Sequence, residues 1–167
     1  MQRPAPANLP SLSPTAQAHS EAAAAHLRAA IGAASGWLPF DHWMAEALYA
    51  PGLGYYAAAN VKLAEADASA PAGDFVTAPQ LTPLFARTLA RQVAQVLRQT
   101  DTQAVLEFGA GTGALAEGVL RELDALGLDQ TRYLILEVSA DLRARQAERL
   151  APFGDRVQWL DALPQRF

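Results

Sequence analysis

Three acids and one run of glycines carry the chemistry this sequence could perform. Glu107 stands two residues before the turn Gly109-Ala110-Gly111-Thr112-Gly113, while Glu137 and Asp161 close two later apolar stretches. Glycines between an apolar strand and a helix bare the backbone N–H groups and let a ligand approach the main chain. The spacing Gly109-x-Gly111-x-x-Ala114 satisfies the dinucleotide fingerprint, a weak signal when it stands alone. Charge separates the candidate ligands. A pyrophosphate would meet Glu107 and Glu117, and no Arg or Lys lies between Glu107 and Leu120 to offset them. S-adenosylmethionine brings a sulfonium and an α-ammonium, and no phosphate. Opposite charges a few ångströms apart in a partly buried cleft are worth roughly a few kcal/mol at an effective dielectric near 20. Glu137 does not discriminate, because ribose hydroxyls occur in both ligands, and Asp161 could accept from an adenine amino group. Each acid alone reads as a solvated strand end. Together with three glycines they favour S-adenosylmethionine.

The elements that must hold these residues follow in alternation. Ala104–Phe108 reads as a strand, Thr112–Leu126 as a helix with Leu115, Val119, Leu120 and Leu123 inward, and Gly127 as its stop. Tyr133–Val138 is a second strand, Ser139 caps a helix from Ala140 to Leu150 anchored by Leu142 and Leu150, and Val157–Leu160 is a third strand after Gly154. Strands alternating with helices predict parallel βαβ units in an open α/β sheet of order 3-2-1, with all three acids at its carboxyl edge. Residues 100–167 therefore read as an incomplete Rossmann-like domain, residues 20–99 as a helical region, and residues 1–19 as a disordered start.

Within the helical region, Glu21–Ala34 is an alanine-rich helix. Asp41 is placed to cap a second helix through Tyr49 with Trp43, Met44 and Leu48 on its apolar face. Pro51–Gly54 turns into Tyr55-Tyr56, Ala64–Ala72 is a small polar loop, and Gly73–Gln80 holds a strand of two or three residues. Thr82 caps a helix with Pro83 at its first position, running to Arg98 on a face of Leu84, Phe85, Leu89, Val93, Val96 and Leu97. Trp37, Trp43 and Trp159 are read as core, and Arg143–Arg149 as a solvated helix face.

Composition excludes several classes. The 167 residues carry a formal net charge of -4 and a single lysine, Lys62, so neither a nucleic-acid footprint nor a polybasic membrane patch is present. There is no cysteine, which removes disulfides and thiolate metal sites. His19, His26 and His42 have no metal-ligand spacing, and Gly-x-Ser-x-Gly is absent. Pro4, Pro6 and Pro10 interrupt any leader core, which makes a cytoplasmic location the default reading.

The turn Glu107-Phe108-Gly109-Ala110-Gly111-Thr112-Gly113 resembles motif I of the class I, Rossmann-like methyltransferases. Upstream, Leu48-Tyr49-x-Pro51-x-x-Gly54-Tyr55-Tyr56 and Gly73-Asp74-Phe75-Val76-Thr77-Ala78-Pro79, followed by Leu84-Phe85, resemble the MidA family. Its mitochondrial relatives are complex I assembly factors that methylate a protein arginine. The resemblance implies S-adenosylmethionine as cofactor and a protein substrate, with a respiratory NADH dehydrogenase subunit as the partner. It implies that Glu107, Gly109, Gly111 and Gly113, with Ala110 and Thr112 of the same turn, hold the methionyl part. Glu137 would bind ribose and Asp161 adenine, while Asp74, Thr77 and Pro79 would lie over the cleft. Gln80 stands where the family pattern has an acid.

A doubly wound domain needs about six strands, and three are legible. The expectation is an amino-terminal portion of a longer methyltransferase, with Asp74 as the one catalytic candidate. By itself it would not transfer methyl groups and would bind S-adenosylmethionine weakly or not at all. The alternative is a non-catalytic, Rossmann-derived interaction or assembly module, for which three glycines at a strand end have no use.

Overall fold

Apolar runs that stop at a glycine or an acid become the strands, and the segments between them become helices. The structure, a computed structural model, describes residues 11–58 and 76–164. In chain order it contains α1 (Pro14–Ala33), α2 (Phe40–Tyr49), α3 (Ala78–Leu81), α4 (Pro83–Thr100), β1 (Ala104–Phe108), α5 (Ala114–Ala125), β2 (Arg132–Leu136), α6 (Ala140–Leu150), a 3-10 helix (Ala151–Arg156) and β3 (Val157–Leu160). The chain divides into two compact units, Met1–Tyr55 and Tyr56–Phe167. The loop expected at Ala64–Ala72 and the segment Gly73-Asp74-Phe75 lie outside the described residues.

In the first unit, α1 starts at Pro14, because Ser13 caps it by accepting from the Ala16 N–H at 3.2 Å and Pro14 occupies the first turn. Residues 14–19, expected to be disordered, are therefore helical. Pro39, not Asp41, is the cap residue of α2; Asp41 lies in the first turn, where its charge suits the helix dipole. His26 Nε2 meets Glu46 Oε2 at 2.6 Å and ties α1 to α2. Trp37, expected in the core, is 73% exposed. Trp43 is also part-exposed and stacks on Phe40 with centroids 5.9 Å apart. Gly54 passes so near the backbone of Leu48–Ala50 that a Cβ there would lie 2.5 Å from the Tyr49 nitrogen.

The second unit is a three-stranded parallel sheet of order β1-β2-β3, the 3-2-1 arrangement expected of the first half of a Rossmann-like α/β fold. Ala104 pairs with Arg132 and Phe108 with Leu136, and Tyr133 pairs with Val157. Ile135 of β2 and Leu120 and Leu123 of α5 are fully buried at its centre. β2 ends one residue before Glu137, and α5 begins at Ala114, later than Thr112 as expected, because Gly111 and Gly113 hold positive φ angles that a helix cannot use. Ser139 caps α6 by accepting from the Leu142 N–H at 3.3 Å, as its position predicts.

The face of α4 differs from its reading. Thr82 and Pro83 do start this helix, with the Thr82 hydroxyl accepting from the Leu84 N–H. The buried residues, however, are Ala86, Ala90, Ala94 and Leu97, while Leu84 is 64% exposed and Phe85, Leu89 and Val96 are exposed as well. The cause is close helix–helix contact: a Cβ on Gly118 of α5 would lie 2.5 Å from the Ala86 Cβ. Small residues on both helices permit that approach, so the alanine stripe faces inward and the bulky stripe outward. Packed in this way, α4 belongs to the sheet unit, although its composition groups it with the helices before it.

Beside this seam Glu122 is nearly buried, with Oε1 accepting from Arg91 Nε at 3.2 Å and Oε2 from Arg87 Nε at 3.1 Å. The hydrogen bonds from Arg91 and then Arg87 hold its carboxyl below the ordinary value. A depressed carboxylate pKa contributes stability that is present above the unfolded value and is lost as pH falls through the folded one. Melting curves taken between about pH 7 and pH 3 should therefore show the parent more stable than Glu122→Gln at neutral pH, with the gap closing in acid.

Candidate functional site

The turn after β1 is built by three glycines in left-handed conformations, Gly109 at φ 61, Gly111 at φ 56 and Gly113 at φ 79. Any other residue would be strained at each of them. Gly109 N–H donates to the Leu136 carbonyl at 2.9 Å and so keeps the turn in register with β2, and Gly113 N–H closes it on the Ala110 carbonyl at 2.8 Å. Gly113 is the cap residue of α5 and offers no side chain to its N–H groups. The turn thus carries open backbone donors at a helix N-terminus, with Ala110 and Thr112 buried beneath it.

Glu107 lies on β1 just before this turn. Tyr133 is two residues before Ile135, the partner of Glu107 in register, and so shares its face. Its hydroxyl donates to Glu107 Oε2 at 2.8 Å. Burial raises the Glu107 carboxyl above its ordinary value, the Tyr133 hydrogen bond lowers it, and the charge of Glu137 raises it further. The Tyr133 hydroxyl is pushed well above its ordinary value by its own burial and by Glu107, which keeps it a donor. An acid held in this way favours a cation as its neighbour. Tyr133→Phe deletes the hydrogen bond that stabilises the anion. Its expected results are a Glu107 titration, read by carboxyl NMR, displaced to higher pH, and a loss of about 1 kcal/mol of stability.

Glu137 follows β2 and is buried. Its Oε1 accepts from the Ser139 N–H at 2.9 Å and its Oε2 from Gln146 Nε2 at 3.0 Å. Ser139 is also buried and its hydroxyl donates to the Tyr56 carbonyl at 2.7 Å, which anchors Tyr56 to the end of β2. Asp161, just past β3, has an 88% exposed side chain that accepts from Arg143 Nη1 at 2.7 Å. The three acids stand where the sequence places them, at successive strand ends on one edge of the sheet.

The segment before α4 is joined to the turn. Thr77 caps α3: its N–H and hydroxyl both donate to Gln80 Oε1 at 2.9 Å, and Pro79 lies in the first turn. Gln80 Nε2 in turn donates to Thr112 Oγ1 at 3.2 Å. Val76 and Thr77 lie in no strand, and Thr77 is committed to the cap; the rest of the segment read as holding a short strand, Gly73-Asp74-Phe75, lies outside the described residues. Asp74, the catalytic candidate, lies outside the described residues.

Four participants escaped sequence reasoning as site residues. Arg149, assigned to a solvated face, donates from Nη1 to Thr112 Oγ1 at 3.1 Å, with Nε 3.7 Å from Glu117 Oε2. A cation does therefore reach the turn from α6, answered by Glu117, and the charge balance there is less one-sided than spacing along the chain suggests. Arg143 likewise is held by Asp161. In the sequence, Tyr133 reads only as the first residue of a strand and Gln146 as part of the solvated face from Arg143 to Arg149. Gln146 was detectable: it falls on the same α6 face as Leu142 and Leu150, where a polar side chain needs buried partners.

Parallel strands ending in acids around a glycine turn define this unit as a partial Rossmann-like domain of the methyltransferase kind. Residues 88–167 match a family model described as "Putative S-adenosyl-L-methionine-dependent methyltransferase". Two solved structures from Burkholderia thailandensis are similar. One, a COG1565 superfamily member and "likely methyl transferase" bound to S-adenosyl-homocysteine, is 53% identical, covering 96% of this chain and 42% of its own, with a TM-score of 0.80. Another COG1565 superfamily protein is 50% identical, covering 96% of this chain and 40% of its own, with a TM-score of 0.75. The chain thus spans about two fifths of the length of these structures. No curated protein matches it. Over the length they share, the chain is similar to these COG1565 proteins.

Proposed function

We propose that the glycine turn and its three acids form the cofactor-holding half of an S-adenosylmethionine-dependent methyltransferase. The observation that carries this reading is Glu107, a carboxylate raised by burial beside open helix N–H groups. That pairing suits a ligand end bearing both an α-ammonium and an α-carboxylate. A solved relative at 53% identity holds S-adenosyl-homocysteine, in agreement with it. Glu137 would take the ribose hydroxyls and Asp161 the adenine edge, with Thr77 and Pro79 beside the turn. When bound, the cofactor supplies an electrophilic methyl group. The residues of this chain bind and orient it, and the Gln80–Thr112 contact keeps the α3 segment against the turn.

The acceptor in this reading is the guanidinium of a protein arginine, the substrate class that the MidA resemblance implies, and the partner is a respiratory NADH dehydrogenase subunit in the cytoplasm. No helix among the described residues is long and apolar enough to cross a membrane. Asp74 is the candidate to orient the acceptor. The 167 residues alone are expected not to turn over.

The test is titration of isotope-labelled protein with S-adenosylhomocysteine, followed by amide shifts. Saturable shifts confined to Gly109, Gly111, Gly113 and the residues after β2 are expected, with Kd weaker than about 100 µM. No response at millimolar ligand, or an equal response to NAD, overturns the reading.

A further inference from the structure

Gln146 is completely buried, yet it is a polar side chain inside a helix otherwise notable for arginines. Its Nε2 donates to the Gly111 carbonyl at 2.9 Å and to Glu137 Oε2 at 3.0 Å, and its Oε1 accepts from the Trp159 indole N–H at 2.9 Å. These three partners belong to the turn after β1, the end of β2 and the interior of β3. The amide has only one orientation that satisfies them. Rotating it by half a turn would set its oxygen against a carbonyl and a carboxylate, and its NH2 against an indole N–H that can only donate. With both Nε2 protons and the oxygen engaged, the network is satisfied and therefore rigid.

We infer that Gln146 is a positioning residue that aims the Glu137 carboxylate at a vicinal diol and keys that aim to the Gly111 carbonyl and to Trp159. This rests on the cofactor reading above. Glu137 spends one acceptor site of Oε1 on the Ser139 N–H and one of Oε2 on Gln146. Each oxygen then keeps one lone pair for a ligand, the number two adjacent hydroxyls require. Without the Gln146 donor the carboxylate is held at one oxygen only and can swing about its Ser139 contact. Discrimination for the diol would then fall more than affinity for the rest of the ligand. Gly113 contributes to the same seating, since a Cβ there would stand 3.6 Å from the Gln146 Cα and Cγ, so α6 lies directly against the turn.

The test compares two probes, S-adenosylhomocysteine and its 2′,3′-dideoxyribose analogue, titrated into the parent chain and into Gln146→Met. Methionine fills similar volume without hydrogen bonds. Gln146→Leu, which likewise removes the donor to Glu137, is the second variant in case the first does not fold. The parent should prefer the hydroxylated ligand by about tenfold, and either variant should bring the two within about twofold, since one lost hydrogen-bonded contact is worth roughly that factor. A role in folding alone weakens both ligands equally and leaves the ratio at its parental value, which overturns the inference while the cofactor reading stands. Failure of the parent to bind either ligand overturns the cofactor reading, and this inference with it.

Discussion

Replacing Glu107 by glutamine should weaken S-adenosylhomocysteine binding by about 30-fold, roughly the 2 kcal/mol of a charge-assisted contact exchanged for a neutral one, while making the free protein more stable. Glutamine keeps the shape and an acceptor for the Tyr133 hydroxyl, so the fold loses no partner. It removes an anion that burial penalises and that Glu137 repels. Because the folded pKa is raised, the native state holds the Glu107 proton more tightly than the unfolded chain does. Stability therefore falls as pH rises from the ordinary carboxyl value through the folded one. The melting temperature of Glu107→Gln should match the parent in acid and exceed it at neutral pH, by on the order of 2–4 °C for each kcal/mol recovered. Ligand affinity runs in the opposite sense. A cationic ammonium needs the carboxylate, so parental binding should tighten as pH rises through the Glu107 titration, and the variant should be flat across that window. A variant that binds as tightly as the parent at neutral pH would remove Glu107 from the site.

The second large effect concerns Gly118. Alanine in place of glycine within an exposed helix is stabilising by about 1 kcal/mol. At this position the added Cβ would come within 2.5 Å of the Ala86 Cβ, which belongs to a buried residue with no rotamer to change. α4 must move away from α5, separating the stripe of Ala86, Ala90 and Ala94 from the partner it fits. Gly118→Ala is expected to cost a net of about 2 kcal/mol, a fall in melting temperature of roughly 4–8 °C. Adding Ala86→Gly makes room for the new methyl and should restore most of the loss, a coupling that a double-mutant cycle measures directly. A higher melting temperature for the single variant would show that the two helices are not in close contact. Because α3 leads into α4 and reaches Thr112 through Gln80, the single variant should also disturb the amide signals of the glycine turn.

The contrast between these two positions explains what could be read from sequence. The strands were legible because each is a short apolar run with an acid or glycine at its end, and the glycine turn because three glycines so close together have few uses besides positive φ. The face of α4 was not. Hydrophobic periodicity weighs residues by bulk, and it selected Leu84, Phe85 and Leu89, whereas the partner helix selected by size and took the alanines. Gly118, within the predicted α5, was the available clue that something must come close. The start of α1 was hidden for a related reason: the prolines of the opening residues read as disorder, yet Ser13-Pro14 is a cap followed by a first-turn proline. Inside the site, the acids were found by charge and position. Their fixings, Tyr133 for Glu107 and Gln146 for Glu137, were not, because a buried hydroxyl or amide leaves no mark on charge patterns. Register supplies what charge could not, since it sets Tyr133 on the face of Glu107.

The order of the sheet bears on how this unit forms. Each described strand pairs with the next one in the chain, β1 with β2 and β2 with β3, and among the described residues none is inserted between earlier neighbours. Loop-closure entropy is therefore met in modest steps, each one a single crossover helix long. During synthesis β1, the turn and α5 emerge first, and each later βα segment can dock on an edge already present. Gln146 and Trp159 arrive after β1 and β2, so the amide network that joins the three strands closes only when β3 is in place. Docking of β3 and fixing of the Glu137 carboxylate would then be one and the same event.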